Sequence, residues 1–242
     1  MTAPFWVSAF LDFEADGFED GVAFWQGVTG FALSERRGAD DEFATLVPPT
    51  GDDYLRVQRL ADGPGRLHLD LHVDSPDAAT DAAAVLGATV LARNDGYVVL
   101  RSPGGMVFCF VSHPASERPP ASAWPTGASQ VDQVCLDIPP RLHDRELEFW
   151  HRVTGWELVS VDSPEFTRLR PPAAFPLQLL VQKLDDDADG VSAHLDLAAD
   201  DRDAEVERHV ALGASEGGRH DWWTVLTDPV GTTYCITRRK TR

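Results

Sequence analysis

Residues 24–30 read Phe-Trp-Gln-Gly-Val-Thr-Gly, and residues 149–155 read Phe-Trp-His-Arg-Val-Thr-Gly, 125 positions later. The correspondence spreads outward from this pair. Leu55-Arg56-Val57-Gln58-Arg59 returns as Leu179-Leu180-Val181-Gln182-Lys183, and His68-Leu69-Asp70-Leu71 returns as His194-Leu195-Asp196-Leu197. Leu86-Gly87-Ala88 returns as Leu212-Gly213-Ala214, and Phe108-Cys109 as Tyr234-Cys235. The order is kept and the offset stays between 124 and 126. The chain therefore contains a duplicated unit of about 115 residues. Between the copies, Ser112 to Ser129 is rich in Pro, Ser and Ala and has no period, which reads as a linker. The expected organisation is one domain over 1–113, a linker over 114–128 and a second domain over 129–242.

Each copy divides again. Ser8 to Phe13 alternates with period two and predicts a strand. Phe18, Val22 and Trp25 fall at i, i+4 and i+7 of a helix, and Gly30 stands where a C-terminal glycine cap belongs. Strands are expected at Phe43–Val47 and Tyr54–Leu60, with a short one near Phe31–Ser34. The pattern restarts at Leu67–Val73, a strictly alternating strand. Ser75 and Pro76 suit the N-cap and first turn of a helix running through Ala78, Ala82 and Val85 to Gly87. Strands follow at Ala88–Leu91, Tyr97–Arg101 and Met106–Val111. Each quarter therefore reads strand, helix, strand, strand, strand, and the fold class is α+β, built of four βαβββ modules in two domains.

Composition narrows the function classes. The chain has 242 residues, 43% hydrophobic and 25% charged, with seven Trp and twelve Phe that demand burial. Its longest apolar run, six residues at Met106–Val111, is far short of the roughly 20 that span a bilayer. The start, MTAPFWVSAF, has no basic region of the secretory kind. Three cysteines make no disulfide framework, so a cytoplasmic location is expected. The net charge of −18 disfavours nucleic acid and anionic membrane as partners. It suits a cationic or metal-bearing small molecule, or serves solubility alone. The richness in Arg, Ala and Asp, with Lys only at 183 and 240, suggests a GC-rich bacterial genome.

The doubled βαβββ pattern resembles the vicinal oxygen chelate superfamily: glyoxalase I, bleomycin-resistance proteins, extradiol dioxygenases and methylmalonyl-CoA epimerase. It is most similar to the glyoxalase-like domain branch. The residues that carry the resemblance are the Phe-Trp-x-x-Val-Thr-Gly helix exits, the His-Leu-Asp-Leu strands, the Leu-Gly-Ala pair and Asp228-Pro229-Val230-Gly231-x-x-Tyr234-Cys235. Ser102-Pro103-Gly104-Gly105-x-x-Phe108-Cys109 is the weaker first copy of that last motif. The resemblance implies that two modules form a cup with the ligand inside, and that metal ligands, typically His and Glu, come from the first and last strands of each module. Those positions carry over to Ser8, His68, Gln58 and Cys109 in the first half, and to Gln133, His194, Gln182 and Cys235 in the second. Each cup then offers one His, one Cys and two neutral polar groups, a weak set for a divalent metal.

The function expected from this is binding of a small organic molecule without a catalytic metal or other cofactor. The alternative is a metal-dependent lyase, isomerase or extradiol-type dioxygenase using His68 or His194. Strand alternation puts His68, Asp70 and His72 on one face and His194, Asp196 and Ala198 on another. An imidazole with an ordinary pKa of about 6.5 is the best general base present, and Asp70 or Asp196 beside it is a further ligand or a proton-relay partner. The same histidines also suit a plain hydrogen-bonded role in a sheet. Cys109, Cys135 and Cys235 read as buried inert thiols, and Trp25 and Trp150 as core. Trp222 and Trp223 suit a stacking wall for a planar or cationic ligand, or packing. Asp185 to Gly190 lacks the spacing of a calcium loop and reads as a solvated turn. A third reading is asymmetric, with one half binding ligand and the other structural. Internal duplication leaves both monomer and homodimer open.

Overall fold

The computed structural model describes residues 3–241. The first module comprises β1 (Trp6–Phe13), α1 (Phe18–Thr29), β2 (Ala32–Leu33), β3 (Phe43–Val47) and β4 (Leu55–Arg59). The second comprises β5 (Arg66–His72), α2 (Pro76–Val85), β6 (Thr89–Asn94), β7 (Tyr97–Arg101) and β8 (Val107–Val111). A short β9 (Ser122–Trp124) precedes the third: β10 (Gly127–Ile138), α3 (His143–Thr154), β11 (Glu157–Ser160), β12 (Phe166–Arg170) and β13 (Gln178–Lys183). The fourth holds β14 (Ser192–Ala199), α4 (Arg202–Ala211), β15 (Ser215–Arg219), β16 (Trp223–Thr227) and β17 (Thr233–Thr237). The fold is thus the α+β tandem of βαβββ modules that the repeats imply.

One sheet runs β2-β3-β4-β1-β5-β8-β7-β6, and the other runs β11-β12-β13-β10-β14-β17-β16-β15, with β9 paired to β10 outside that path. Within a module the helix carries the chain back over the sheet. Two antiparallel steps then return it, so the last strand lands parallel to the first, as β8 does beside β5 and β17 beside β14. This pairing sets the site, because it fixes which side chains of first and last strands stand side by side.

The local signals act as their chemistry dictates. Gly30 and Gly155 end α1 and α3 in the left-handed region, at φ 70° and 68°. A side chain there would strain the backbone. Ser75 caps α2 through the Ala78 N–H, and Asp201 caps α4 through the Ala204 N–H, each satisfying a donor that the helix itself cannot. The Pro- and Ser-rich connection differs from a structureless linker in its second part. Ser122–Trp124 pairs with Gly127–Ser129 as a hairpin. Trp124 supplies the reason. Its ring lies 3.8 Å from the Arg208 guanidinium, a cation held over an aromatic face. The Trp124 N–H donates to Ser129 Oγ, and Ser122 Oγ donates to Thr29 O.

The chain gathers into two compact units, each drawing on both sequence halves. One unit holds the chain up to Ala9, Leu67–Glu117 and Val134–Ala193. Its core sets Phe108 of β8 against Phe149 and Trp150 of α3, with ring centroids 5.8 and 5.2 Å apart. The other unit holds Phe10–Arg66, Arg118–Gln133 and the chain from His194 onward. There Phe24 and Trp25 of α1 meet Tyr234 of β17 at 6.0 and 5.2 Å. The repeated Phe-Trp pair therefore does one job twice, and Trp25 and Trp150 are both fully buried as expected. Each indole N–H needs a buried partner. Trp25 donates to Asp228 Oδ2 at 3.1 Å, and Trp150 to Glu146 Oε2 at 2.9 Å. No helix among the described residues is long and apolar enough to cross a membrane.

Candidate functional site

Strand register builds the first cluster. Asp70 on β5 stands directly beside Cys109 on β8, and period two brings His68 to the same face. The donor atoms of His68, Asp70 and Cys109 all lie within 4.8 Å of one another, and all three residues are buried. His68 Nε2 is 3.9 Å from Asp70 Oδ1. The second copy repeats the arrangement: Asp196 stands beside Cys235, and His194, Asp196 and Cys235 again bring their donor atoms within 4.8 Å. His194 Nε2 is 3.4 Å from Asp196 Oδ1. Counting the strongest donors along the sequence leaves two per site, His and Cys. The aspartate beside them, read along the sequence as a further ligand or a relay partner, stands in the same cluster, and imidazole, carboxylate and thiolate together are a three-ligand set that can hold zinc with a fourth position open.

The surroundings of the two clusters differ. Asp196 accepts a hydrogen bond from the Gln133 side-chain amide, which places Gln133 against the second cluster. Arg239 Nη1 lies 3.9 Å from Asp196 Oδ2, and Arg239 also donates to the buried Asp132. Burial alone would raise the Asp196 carboxyl. The hydrogen bond and charge of His194, then the Arg239 charge and the Gln133 bond, outweigh it and hold the group below the ordinary carboxylate range, since each favours the charged form. Near the first cluster, His72 Nδ1 lies 2.7 Å from the His113 carbonyl, and its Nε2 lies 2.9 Å from Ser8 Oγ. A carbonyl only accepts, so Nδ1 carries the proton, and in the neutral ring Nε2 accepts from the Ser8 hydroxyl. Ser8 is therefore spent on His72.

The other expected site residues are placed as follows. Gln58 is on β4, beside Phe43 in the ladder, and belongs to the unit that does not contain His68. Gln182 is on β13, where its Oε1 lies 3.7 Å from Cys135 Sγ, in the unit that does not contain His194. Cys109, Cys135 and Cys235 are buried thiols outside any disulfide. Trp223 stacks on His220 at 4.6 Å, and Trp222 is 70% exposed. Around the Asp185–Gly190 turn, Arg141 binds the Ala188 carbonyl and approaches Asp187, as suits a solvated loop. Sequence reasoning missed Asp132 and Arg239. Asp132 has Val7 as its counterpart in the first half and Arg239 has His113, so the repeat itself hides the pair.

The family described as "Glyoxalase-like domain" matches residues 8–111 and again 133–237. No curated protein matches the chain. Among solved structures, the Mn(II)-bound glyoxalase from Novosphingobium aromaticivorans superposes with a TM-score of 0.72 at 18% identity, over 98% of this chain and 83% of that one. A mutant of 4-hydroxymandelate synthase from Streptomyces coelicolor gives 0.65 at 14% identity, over 98% and 93%. The 2,2',3-trihydroxybiphenyl 1,2-dioxygenase of Sphingomonas wittichii gives 0.62 at 15%, over 100% and 91%. At such identities the likeness is one of fold.

Proposed function

The chain belongs to the glyoxalase-like domain family, in two tandem copies, and from that premise we propose that it binds a small organic molecule against the polar faces of β5 and β14. The observation that carries the proposal is the doubled cluster of His, Asp and Cys at one register of the repeat. Burying polar groups on a sheet face costs free energy that an apolar face would not, and a ligand that pairs with them offsets the cost. In this reading His68 and His194 accept a proton from a bound oxygen compound, while Asp70 and Asp196 orient the imidazoles. The formal charge of −18 favours a cationic molecule over an anionic one. The exposed Trp222 gives such a molecule a ring to stack on.

A thermal-shift screen with 2-oxo compounds, catechols and organic cations tests this. A ligand at 100 times its Kd adds about 2.7 kcal/mol to stability, a clear rise in Tm for a chain of this size. The shift should shrink in His68→Ala and His194→Ala. A shift that survives in the double variant would remove these residues from the site.

The closeness of His68, Asp70 and Cys109 favours a second reading, a metal-dependent lyase, isomerase or dioxygenase. His68, Asp70 and Cys109 would hold a divalent ion, which when bound polarises a coordinated oxygen as a Lewis acid. Elemental analysis of protein purified without chelators distinguishes the two readings. We further propose that 1–113 and 129–242 are the two ancestral domains, joined by 114–128, which the two family matches support. Three thiols outside any disulfide support a reducing, cytoplasmic setting.

A further inference from the structure

We infer that a single ordered water molecule, bound to Gln130 Oε1 in a small buried cavity, fastens the connection between the two halves where it crosses the end of α1. The inference is independent of the proposed function.

The cavity lies within one compact unit, and it leaves about 10 Å³ of room for the centre of a water molecule, close to what one water needs. Four hydroxyl-bearing residues and one amide line it: Thr29, Tyr54, Ser122, Ser129 and Gln130. Cavities of this size stay dry when their walls are apolar, and hold water when about two to four polar partners surround it.

The hydrogen bonds around the cavity close in all places but one. Thr29 Oγ1 donates to Trp25 O at 2.7 Å, Tyr54 Oη to Val131 O at 3.0 Å, and Ser122 Oγ to Thr29 O. Ser129 Oγ accepts from Trp124 and bonds Glu205. The last carbonyls of α1 are also taken, Gln26 O by the Gly30 N–H and Gly27 O and Val28 O by Arg208. Gln130 Nε2 donates to Pro119 O at 3.4 Å. A carbonyl only accepts, so the amide nitrogen must face Pro119, and Oε1 cannot change places with it. Oε1 is then a buried acceptor with no donor among the described residues, on a side chain only 5% exposed. The hydroxyl protons beside it are committed elsewhere, but their oxygens keep acceptor capacity. A water supplies what is missing: one proton to Gln130 Oε1 and the other to a hydroxyl oxygen.

The repeat shows that this pocket belongs to the junction. The counterpart of Gln130 in the first half is Phe5, and the segment that brings Pro119 and Ser122 has no counterpart at all. The polar wall therefore arises only where the connection meets the second half.

The direct test is a crystal structure of the full-length protein at a resolution that places waters. Density is expected within about 2.7–3.2 Å of Gln130 Oε1. The second test is the sign of a cavity-filling substitution. Val28 lines the cavity, and the extra methyl of Val28→Ile would expel the water and leave Oε1 unpaired, so Tm should fall. In Gln130→Met, which keeps the side-chain length and removes the acceptor, the same methyl fills apolar space and should raise Tm. Val131→Ile, at another wall residue, serves if Val28→Ile does not fold by circular dichroism. A structure with Gln130 well ordered and no density beside Oε1, or a cavity-filling effect of the same sign in both backgrounds, would overturn the inference.

Discussion

Tyr234 and Phe108 hold the same place in the repeat and differ by one oxygen, and the neighbours of Tyr234 are chosen to suit it. Its hydroxyl lies 3.0 Å from His209 Nδ1, His209 Nε2 lies 3.1 Å from Glu205 Oε1, and Glu205 accepts from Arg208 at 2.7 and 2.8 Å. The counterparts of His209 and Glu205 in the first half are Ala83 and Ala79, in the unit where Phe108 asks for no partner. Burial would raise the Glu205 carboxyl, but the bonds from Arg208 and His209 bring it down to about 2. Burial pushes His209 down, with the Arg208 charge adding to it against the opposing pull of Glu205. Both signs run the same way. A depressed carboxyl stabilises fully above its unfolded pKa of about 4.5, and this is lost as pH falls toward the folded value. A histidine kept neutral by the fold destabilises it below its unfolded pKa of about 6.5, where the unfolded chain takes up the proton. Urea denaturation from pH 7 to pH 3 should therefore show stability falling in two stages, with on the order of 2 kcal/mol from Glu205 after solvent screening. The triple variant Glu205→Ala, His209→Ala, Tyr234→Phe, which copies the first half, should remove most of that slope.

At the scale of elements, the turn before the last strand of one half and the first helix of the other half exchange one carboxylate. In one unit Asp228 does three things: it accepts from Trp25, and its Oδ1 accepts from the Val230 and Thr232 N–H groups. In the other unit Ser102 stands in the Asp228 place and accepts from the Met106 N–H at 3.1 Å. The remaining two bonds, from Trp150 and from the Gly104 N–H, go to Glu146 of α3, whose counterpart in α1 is Gly21. Gly21 is small for its own reason, since a Cβ there would come within 2.9 Å of the Phe13 ring. Burial raises the Glu146 carboxyl, against the bonds that favour its charge, so above its ordinary pKa this group costs stability instead of adding it. Glu146→Ala should cost about 2–4 kcal/mol by stranding buried donors, and Ser102→Asp alone should also destabilise, by crowding two buried acids. The double variant should recover about 1–3 kcal/mol of the sum, read as a coupling energy from denaturation midpoints. The same exchange marks what is legible along the chain. Periodicity, glycine caps and the repeat yield the strands, helices and module order, and alternation puts His68 beside Asp70. Cys109 joins them only by carried-over position, because ladder register is invisible along the chain. Ser102 looks like a decayed motif because its compensation arrives from another module, and Asp132 with Arg239 stays unread because neither has a charged counterpart in the other half.

For the whole molecule, this distribution of carboxylates decides which halves can pair. Each compact unit closes one half's Phe-Trp helix on the other half's last strand: Trp150 on Phe108, and Trp25 on Tyr234. A half-chain alone leaves those rings uncovered, and two copies of one half pairing with each other would meet a polar mismatch. Residues 1–117 carry Gly21 and Ser102, so a homodimer of them would bury the Trp25 N–H with no acid to receive it. Residues 118–242 carry both Glu146 and Asp228, so their homodimer would crowd two buried carboxylates around one indole. Only the pairing of unlike halves supplies one carboxylate per tryptophan, and an unpaired buried donor or a doubled buried charge costs on the order of several kcal/mol. The two fragments expressed separately should therefore lack a cooperative thermal transition. Mixed, they should form a one-to-one complex that melts cooperatively, with the near-ultraviolet tryptophan dichroism of the intact chain. A stable homodimer of either fragment with native-like dichroism would contradict the argument. Introducing Ser102→Asp into residues 1–117 should be the change that makes such a homodimer possible, since it returns the missing acid to the partner of Trp25.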